Sequence, residues 1–287
     1  MGCSIAAGVG GAGGWRALTW AADEAEHTGA RLVLLDVCPP GSPLDRSAGE
    51  LGPAQLELVD PPLARAVART QTRLGRRHVA LLAPVGDPGA RLVAASAGVR
   101  LLVIGEGERG RTVRRVLRRA HCPVVVVKPA TRASRGAELG GHVVVGVDGT
   151  PASRSALEFG FAFAVEHALP VAAVHVCAVS RDDFFYDDVT LSTHFAVEPA
   201  ALELLAAETE PFALRHPAVP VRRAVLHGSA AEALIRAGYG AELLVVGDKR
   251  RGAVGRVRTD DVPLAVAAGA PCPVAVVPVN QHQGDPL

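Results

Sequence analysis

The residue best placed to do chemistry is Asp148, in Gly146-Val147-Asp148-Gly149-Thr150-Pro151-Ala152-Ser153, where the apolar run His142–Val147 gives way to a turn. A carboxylate at the C-terminal end of a strand can accept from a ribose hydroxyl or an adenine amine. The same residue in the same turn can equally bond its own backbone, as Asx turns do. Both readings stand on the sequence. Ser153 reads as the N-cap of the helix that follows. A second stretch, Gly8-Val9-Gly10-Gly11-Ala12-Gly13-Gly14, contains a G-x-G-x-x-G spacing at Gly8, Gly10 and Gly13, with Asp36 as the acidic residue a ribose would need. In so glycine-rich a run that spacing arises easily, and the plainer reading is a tight turn. A third feature is the pair Asp260-Asp261, either a Mg²⁺ ligand set or a solvated helix start.

Turnover motifs are missing. There is no G-x-S-x-G elbow, no H-E-x-x-H helix and no G-x-x-x-x-G-K-[ST] loop, and the ten histidines do not cluster with cysteines. A binding role is therefore expected, with no catalytic residues and no metal site.

These residues have to be positioned by a scaffold. A length of 287 residues with 49% hydrophobic content allows two domains, each with its own core. Aromatics at 4% favour tightly packed helix-on-sheet layers over aromatic-rich sandwiches. Five scattered cysteines without C-x-x-C spacing point to reduced thiols, and no apolar run approaches a membrane span. The reading is a soluble, cytoplasmic protein with neither a membrane nor a nucleic acid as partner. The net charge of +1 conceals opposite halves: residues 1–140 carry 19 Lys/Arg against 12 Asp/Glu, and residues 141–287 carry 11 against 17. That asymmetry fits attraction between the halves, or a basic first half meeting an acidic partner.

The chain repeats itself. Gly86-Asp87-Pro88 through Leu101-Leu102-Val103-Ile104-Gly105 aligns without gaps onto Gly228-Ser229-Ala230 through Leu243-Leu244-Val245-Val246-Gly247, an offset of 142. Ala17-Leu18 matches Ala156-Leu157 at 139, and Cys122-Pro123-Val124 matches Cys272-Pro273-Val274 at 150. The first copy thus lacks eight residues between its fourth strand and its last helix. At the offset of 139, Val9 falls on Asp148 and Ala7 on Gly146.

In the second copy, strands are expected at His142–Val147, Val171–Val176, Val221–Leu226, Leu243–Gly247 and Val274–Val279, with helices at Ser153–His167, Ala230–Ala237 and Leu264–Ala268. Continuous Val/Leu runs are the mark of parallel strands buried on both faces. The fold class is α/β, two tandem doubly wound, Rossmann-like sheets. The expected domains are 1–129 and 142–280, joined by a linker over 130–141 and followed by a tail, 281–287. In such sheets, ligands bind beyond the carboxyl ends of the strands.

Val143-Val144-Val145-Gly146-Val147-Asp148-Gly149-Thr150, Gly86-Asp87-Pro88, the Leu-Leu-Val-Val-Gly strand ends and Pro271-Cys272-Pro273-Val274 together resemble the universal stress protein family, twice over nearly the whole chain. The resemblance implies small cytosolic domains, some ATP-binding and some not, that pair through their last strands. It therefore implies a pseudo-dimer within one chain, with a homodimer and a protein partner as further expectations. In the ATP-binding type, adenine and ribose sit against the Asp after strand one and a Val after strand two. A Gly-x2-Gly-x9-Gly-Ser/Thr loop wraps the phosphates.

Carried onto this chain, the resemblance assigns Val147, Asp148, Gly149 and Val176 to the adenosine half, and Val246, Gly247 and Lys249 to the start of the loop. Arg250, Asp260 and Asp261 stand where glycine, glycine and the hydroxyl belong. Two carboxylates oppose a polyphosphate, although Lys249, Arg250, Arg251, Arg256 and Arg258 offset them. Adenosine or AMP suits this pocket better than ATP. The first copy, with Gly105-Glu106-Gly107-Glu108-Arg109-Gly110-Arg111 in place of the loop, is not expected to bind ATP in the family's manner.

Two features lie outside that pattern. Arg111, Arg114, Arg115, Arg118 and Arg119 line one helix face opposite Val113, Val116, Leu117 and Ala120: a solvated face, a dock for the acidic second copy, or a polyanion contact. The acidic, aromatic segment Arg181–Pro199 is a lid over the second pocket, a partner contact, or a surface loop that tucks its aromatics into the core. The reading that results is a non-enzymatic stress-response regulatory or interaction module with a degenerate ATP site. The alternative is an adenine-nucleotide sensor binding ATP, ADP or AMP in the second domain only, and a nucleotide hydrolase ranks last.

Overall fold

The structure, a computed structural model, describes residues 4–11, 13–42, 56–58, 60–106, 110–129, 138–178, 199–249 and 261–279. The chain divides into two compact units, Met1–Pro129 and Ala130–Leu287. Among the described residues, no helix is long and apolar enough to cross a membrane.

The first unit runs β1 (Ser4–Gly8), α1 (Gly14–Thr28), β2 (Arg31–Leu35), α2 (Pro61–Leu74), β3 (Val79–Leu82), α3 (Pro88–Ala95), β4 (Leu101–Gly105), α4 (Arg111–Arg119) and β5 (Val124–Val127). Its strands are parallel, in the order β3-β2-β1-β4-β5. The second unit runs β6 (Val143–Gly146), α5 (Pro151–His167), β7 (Val171–Cys177), α6 (Pro199–Arg215), β8 (Val221–His227), α7 (Ala230–Ala237), β9 (Leu243–Asp248), α8 (Val262–Gly269) and β10 (Val274–Pro278). The order repeats as β8-β7-β6-β9-β10, again all parallel.

The cause is the apolar patterning. All four residues of β5 and all five of β10 are buried, as a strand covered on both faces must be. Helices pack in pairs within each unit, α1 with α2 and α3 with α4, then α5 with α6 and α7 with α8. With right-handed crossovers, the two pairs of a unit fall on opposite faces of its sheet. Cys122 and Cys272 occupy equivalent buried positions, one before each closing strand.

Helix starts follow from proline. Asp60 and Asp87 cap α2 and α3, accepting from Leu63 N at 2.9 Å and Ala90 N at 2.7 Å, with Pro61 and Pro88 at the first helical positions. By the same rule α5 begins at Pro151, and its cap is Thr150 rather than Ser153. Proline has no N–H to satisfy and a pre-set φ, so the helix opens on it. Ser153 instead donates its backbone N–H to Thr150 Oγ1 at 3.4 Å and its hydroxyl to Thr150 O at 3.0 Å.

Helix α6 was not anticipated. Pro211 lies inside it and masks the apolar face formed by Ala201, Leu205 and Phe212. In α4 the arginine face is as expected: Arg114, Arg115, Arg118 and Arg119 are exposed while Val116 and Leu117 are buried, and Arg115 pairs with Asp87 at 2.6 Å. The segment 181–198, linker residues 130–137 and the residues from 280 onward lie outside the described residues.

Candidate functional site

In each unit, the first strand lies between the second and the fourth, so the chain leaves it in both directions along the sheet. The crevice beyond the carboxyl ends of those central strands is where a doubly wound sheet receives ligands. In the second unit that places the turn after β6 beside the end of β9.

Asp148 stands in this turn with both of its oxygens engaged. Thr150 donates its backbone N–H (3.1 Å) and its hydroxyl (2.6 Å) to Oδ1, while Lys249, just past β9, sets Nζ 2.6 Å from Oδ2. The Asx turn and the accessible carboxylate are thus one arrangement. Partial burial pushes the carboxyl pKa up, but the hydrogen bonds from Lys249 and Thr150, joined by the lysine's charge, outweigh it and hold the group below its usual value. At neutral pH Asp148 is an ionised acceptor. Gly149 has φ +73°, a left-handed conformation that suits glycine, and lets the chain turn back into Thr150.

The turn is held from below. Val147 donates its N–H to Val174 O at 2.8 Å, and His175 Nδ1, which must carry the proton when facing a carbonyl, donates to Val147 O at 2.8 Å. Leu204 of α6 lies over Gly149, since a Cβ there would meet its Cδ1 at 3.4 Å. Arg154 of α5 and Glu208 of α6 form a forked ion pair at 2.9 to 3.2 Å that ties the two helices flanking the turn. Neither Leu204 nor His175 was singled out from the sequence. Their contacts with the turn bridge 28 residues or more of chain, and no local pattern marks them.

The residues expected at the site do not all come together. Asp148, Gly149 and Lys249 are brought together. Val176 is half-buried at the open end of β7, the strand next to β6. Val147 and Val246 are each 3% exposed and belong to the core. Gly247 has a packing role: a Cβ there would fall 2.1 Å from Ala152 O, and Gly105 stands in the same relation to Gly13 O at 1.9 Å. Each glycine lets the first helix of its unit close onto the fourth strand. Asp261 occupies the N-cap position of α8, whereas Arg250, Arg251, Arg256, Arg258 and Asp260 lie outside the described residues.

The sheet register corrects the comparison of the two copies. Ile5 pairs with Leu101 and Val143 pairs with Leu243, so Ile5 and Val143 are equivalent. Val9 then corresponds to Val147, and both donate to the second strand, Val9 to Leu35 O at 2.9 Å. Gly8 therefore stands at the Gly146 position and Gly10 at the Asp148 position; the expected Ala7 and Val9 are each one residue off. The helices align at 139 because the first copy has three residues between Val9 and Gly13, where the second has four between Val147 and Ala152.

Asp36 lies where the second copy has His175, and Gly10 leaves room for it: a Cβ on Gly10 would sit 3.0 Å from Asp36 Oδ1. Burial, and secondarily the charge of Asp60, pushes the Asp36 carboxyl up. Glu106 lies 3.8 Å from Lys128, and Gly107, Glu108 and Arg109 lie outside the described residues.

The universal stress protein family model matches the chain twice, over residues 4–128 and 141–278. A universal stress protein of Mycobacterium tuberculosis is 29% identical over 197 residues, covering 66% of this chain and 65% of that protein, just under two thirds of its length. One of Mycolicibacterium smegmatis is 29% identical over 276 residues, covering 91% of this chain and 92% of that protein. Among solved structures, a universal stress protein from Archaeoglobus fulgidus superposes with a TM-score of 0.68 at 15% identity, over 98% of this chain and 97% of that one. A putative universal stress protein from Pseudomonas aeruginosa does so with 0.61 at 15% identity, over 96% and 92%. Those structures bear on fold alone; the two family matches fall on the two units. The chain belongs to the universal stress protein family, as a tandem of two of its domains.

Proposed function

We propose that this protein is a non-enzymatic regulatory or interaction module whose second domain binds an adenine nucleotide and whose first domain does not. The carrying observation is Asp148: ionised, about half exposed, fixed by Thr150 and standing beside β9 beyond the carboxyl ends of the central strands. A ribose hydroxyl or an adenine amine needs such an acceptor, and the first domain has Gly10 in its place. A single phosphate needs one cation, which Lys249 supplies, so AMP suits the site better than ATP. The cytoplasm, where adenine nucleotides are abundant, is the place of action in this reading, and a protein partner or a second copy would read out the bound state.

Calorimetric titration of the full chain with ATP, ADP, AMP and cyclic AMP tests the proposal. Saturable binding lost in Asp148→Ala is the expected result, and ATP turnover above a buffer control would contradict the non-enzymatic part. A second reading has its own support: Lys249 already satisfies Asp148, as in a domain that binds no nucleotide and serves only as an interaction module. Flat titrations with all four ligands would establish it.

A further inference from the structure

The geometry points to Lys249 as an internal competitor at Asp148 that makes the second domain select phosphorylated adenine nucleotides over the free nucleoside. This rests on reading that domain as a nucleotide site, and adds what determines its choice of ligand.

Acceptor positions at Asp148 are few. An ionised carboxylate offers about four lone-pair sites. At Asp148, Thr150 takes two at Oδ1 and Lys249 takes one at Oδ2. A ribose diol brings two donors. To seat both, the lysine has to leave Oδ2, and its ammonium then loses its anion.

An unphosphorylated nucleoside returns nothing for that loss. A nucleotide carries its own anion, and the displaced ammonium can pair with it through a charge-assisted hydrogen bond. The lysine is free to make the exchange, since its side chain is 42% exposed and reaches Asp148 from a neighbouring strand end on a flexible four-carbon stem. Thr150 stays with Asp148 throughout, because it is fixed as the cap of α5. The selection requires only one phosphate, so it separates adenosine from AMP rather than AMP from ATP.

Adenosine and AMP are titrated into the full-length wild type, Lys249→Gln and Lys249→Arg, with thermal unfolding as the control for folding. The wild type should prefer AMP. Lys249→Gln removes a partly exposed ion pair, so it should bind adenosine about fivefold more tightly without binding AMP any more tightly, and the preference should narrow by at least that factor. Lys249→Arg should keep it. A wild type that binds adenosine as well as AMP overturns the inference, as does a glutamine variant whose adenosine affinity is unchanged or weaker. If AMP still binds in those cases, the nucleotide reading survives and only the role of Lys249 falls; if the wild type binds neither ligand, both fall together.

Discussion

The turn Val9–Gly13 and the turn Val147–Ala152 leave equivalent strands, in the same register, and feed helices that close onto equivalent glycines. They differ by one residue in length. The longer turn presents Asp148 under a threonine cap. The shorter one presents Gly10, and α1 starts on Gly13 without a side-chain cap. The close approach of the first helix to the fourth-strand glycine is common to both copies, while a carboxylate held by a threonine and a lysine stands after the first strand of the second copy alone among the described residues. Fully burying one leucine contributes about 2 kcal/mol, whereas a partly exposed ion pair such as Lys249–Asp148 contributes no more than about 1 kcal/mol. The fold does not depend on that ion pair.

The largest effect should come from what the copies share. A methyl group at Gly105 or Gly247 would overlap a backbone carbonyl at 1.9 or 2.1 Å. Gly105→Ala and Gly247→Ala should each cost about 3 kcal/mol in denaturant unfolding. Tolerance at Gly247 alone would break the equivalence, and would return that glycine to a role in ligand binding.

A smaller effect should appear where the copies differ. Thr150→Val removes the cap of α5 and should cost about 1 kcal/mol. It also strips Oδ1 of its hydroxyl donor, so the Asp148 carboxyl should titrate higher by ¹³C NMR. Gly13→Ala has no cap to lose, and any cost there would come from its close approach to Glu106 O.

The subtlest test uses opposite signs. Asp148 has a folded-state pKa below its unfolded one, so its contacts stabilise the protein above about pH 4 and that contribution is lost as pH falls through the lowered value. Asp36 has a folded-state pKa above its unfolded one, so ionising it opposes folding, and the penalty is relieved as pH falls through the raised value. Asp36→Asn should raise the unfolding midpoint at pH 7, with the gain shrinking as the medium is acidified. A gain that persists unchanged to pH 4 would show that charge is not its source.

Most of the scaffold was legible because strands such as β4, β5, β6 and β10 are continuous apolar runs and recur between the copies; β8, with Arg222 and Arg223 exposed within it, is the exception. The one-residue difference in the turns was not. Glycines carry no side-chain pattern, and only backbone pairing shows that Gly10 rather than Val9 stands at the Asp148 position. Thr150 could have been read as the cap from the proline that follows it; α6 was hidden by Pro211. At the site, Asp148 announced itself by type and place. Its pairing with Lys249 joins residues a hundred positions apart, and His175 and Leu204 reach the turn through the fold alone. Val147, Val246 and Gly247 show the reverse: residues of the right type, placed beside the crevice, whose side chains or missing side chains serve packing.

A nucleotide site confined to the second copy and carried by Asp148 has a direct consequence for binding. It is tested most directly by the stoichiometry of AMP binding to the full chain, in the wild type, Asp148→Ala and Gly10→Asp. One AMP per chain is expected in the wild type, none in Asp148→Ala, and one still in Gly10→Asp, because that turn remains a residue short. Two per chain in the wild type, or binding that survives Asp148→Ala, would contradict it.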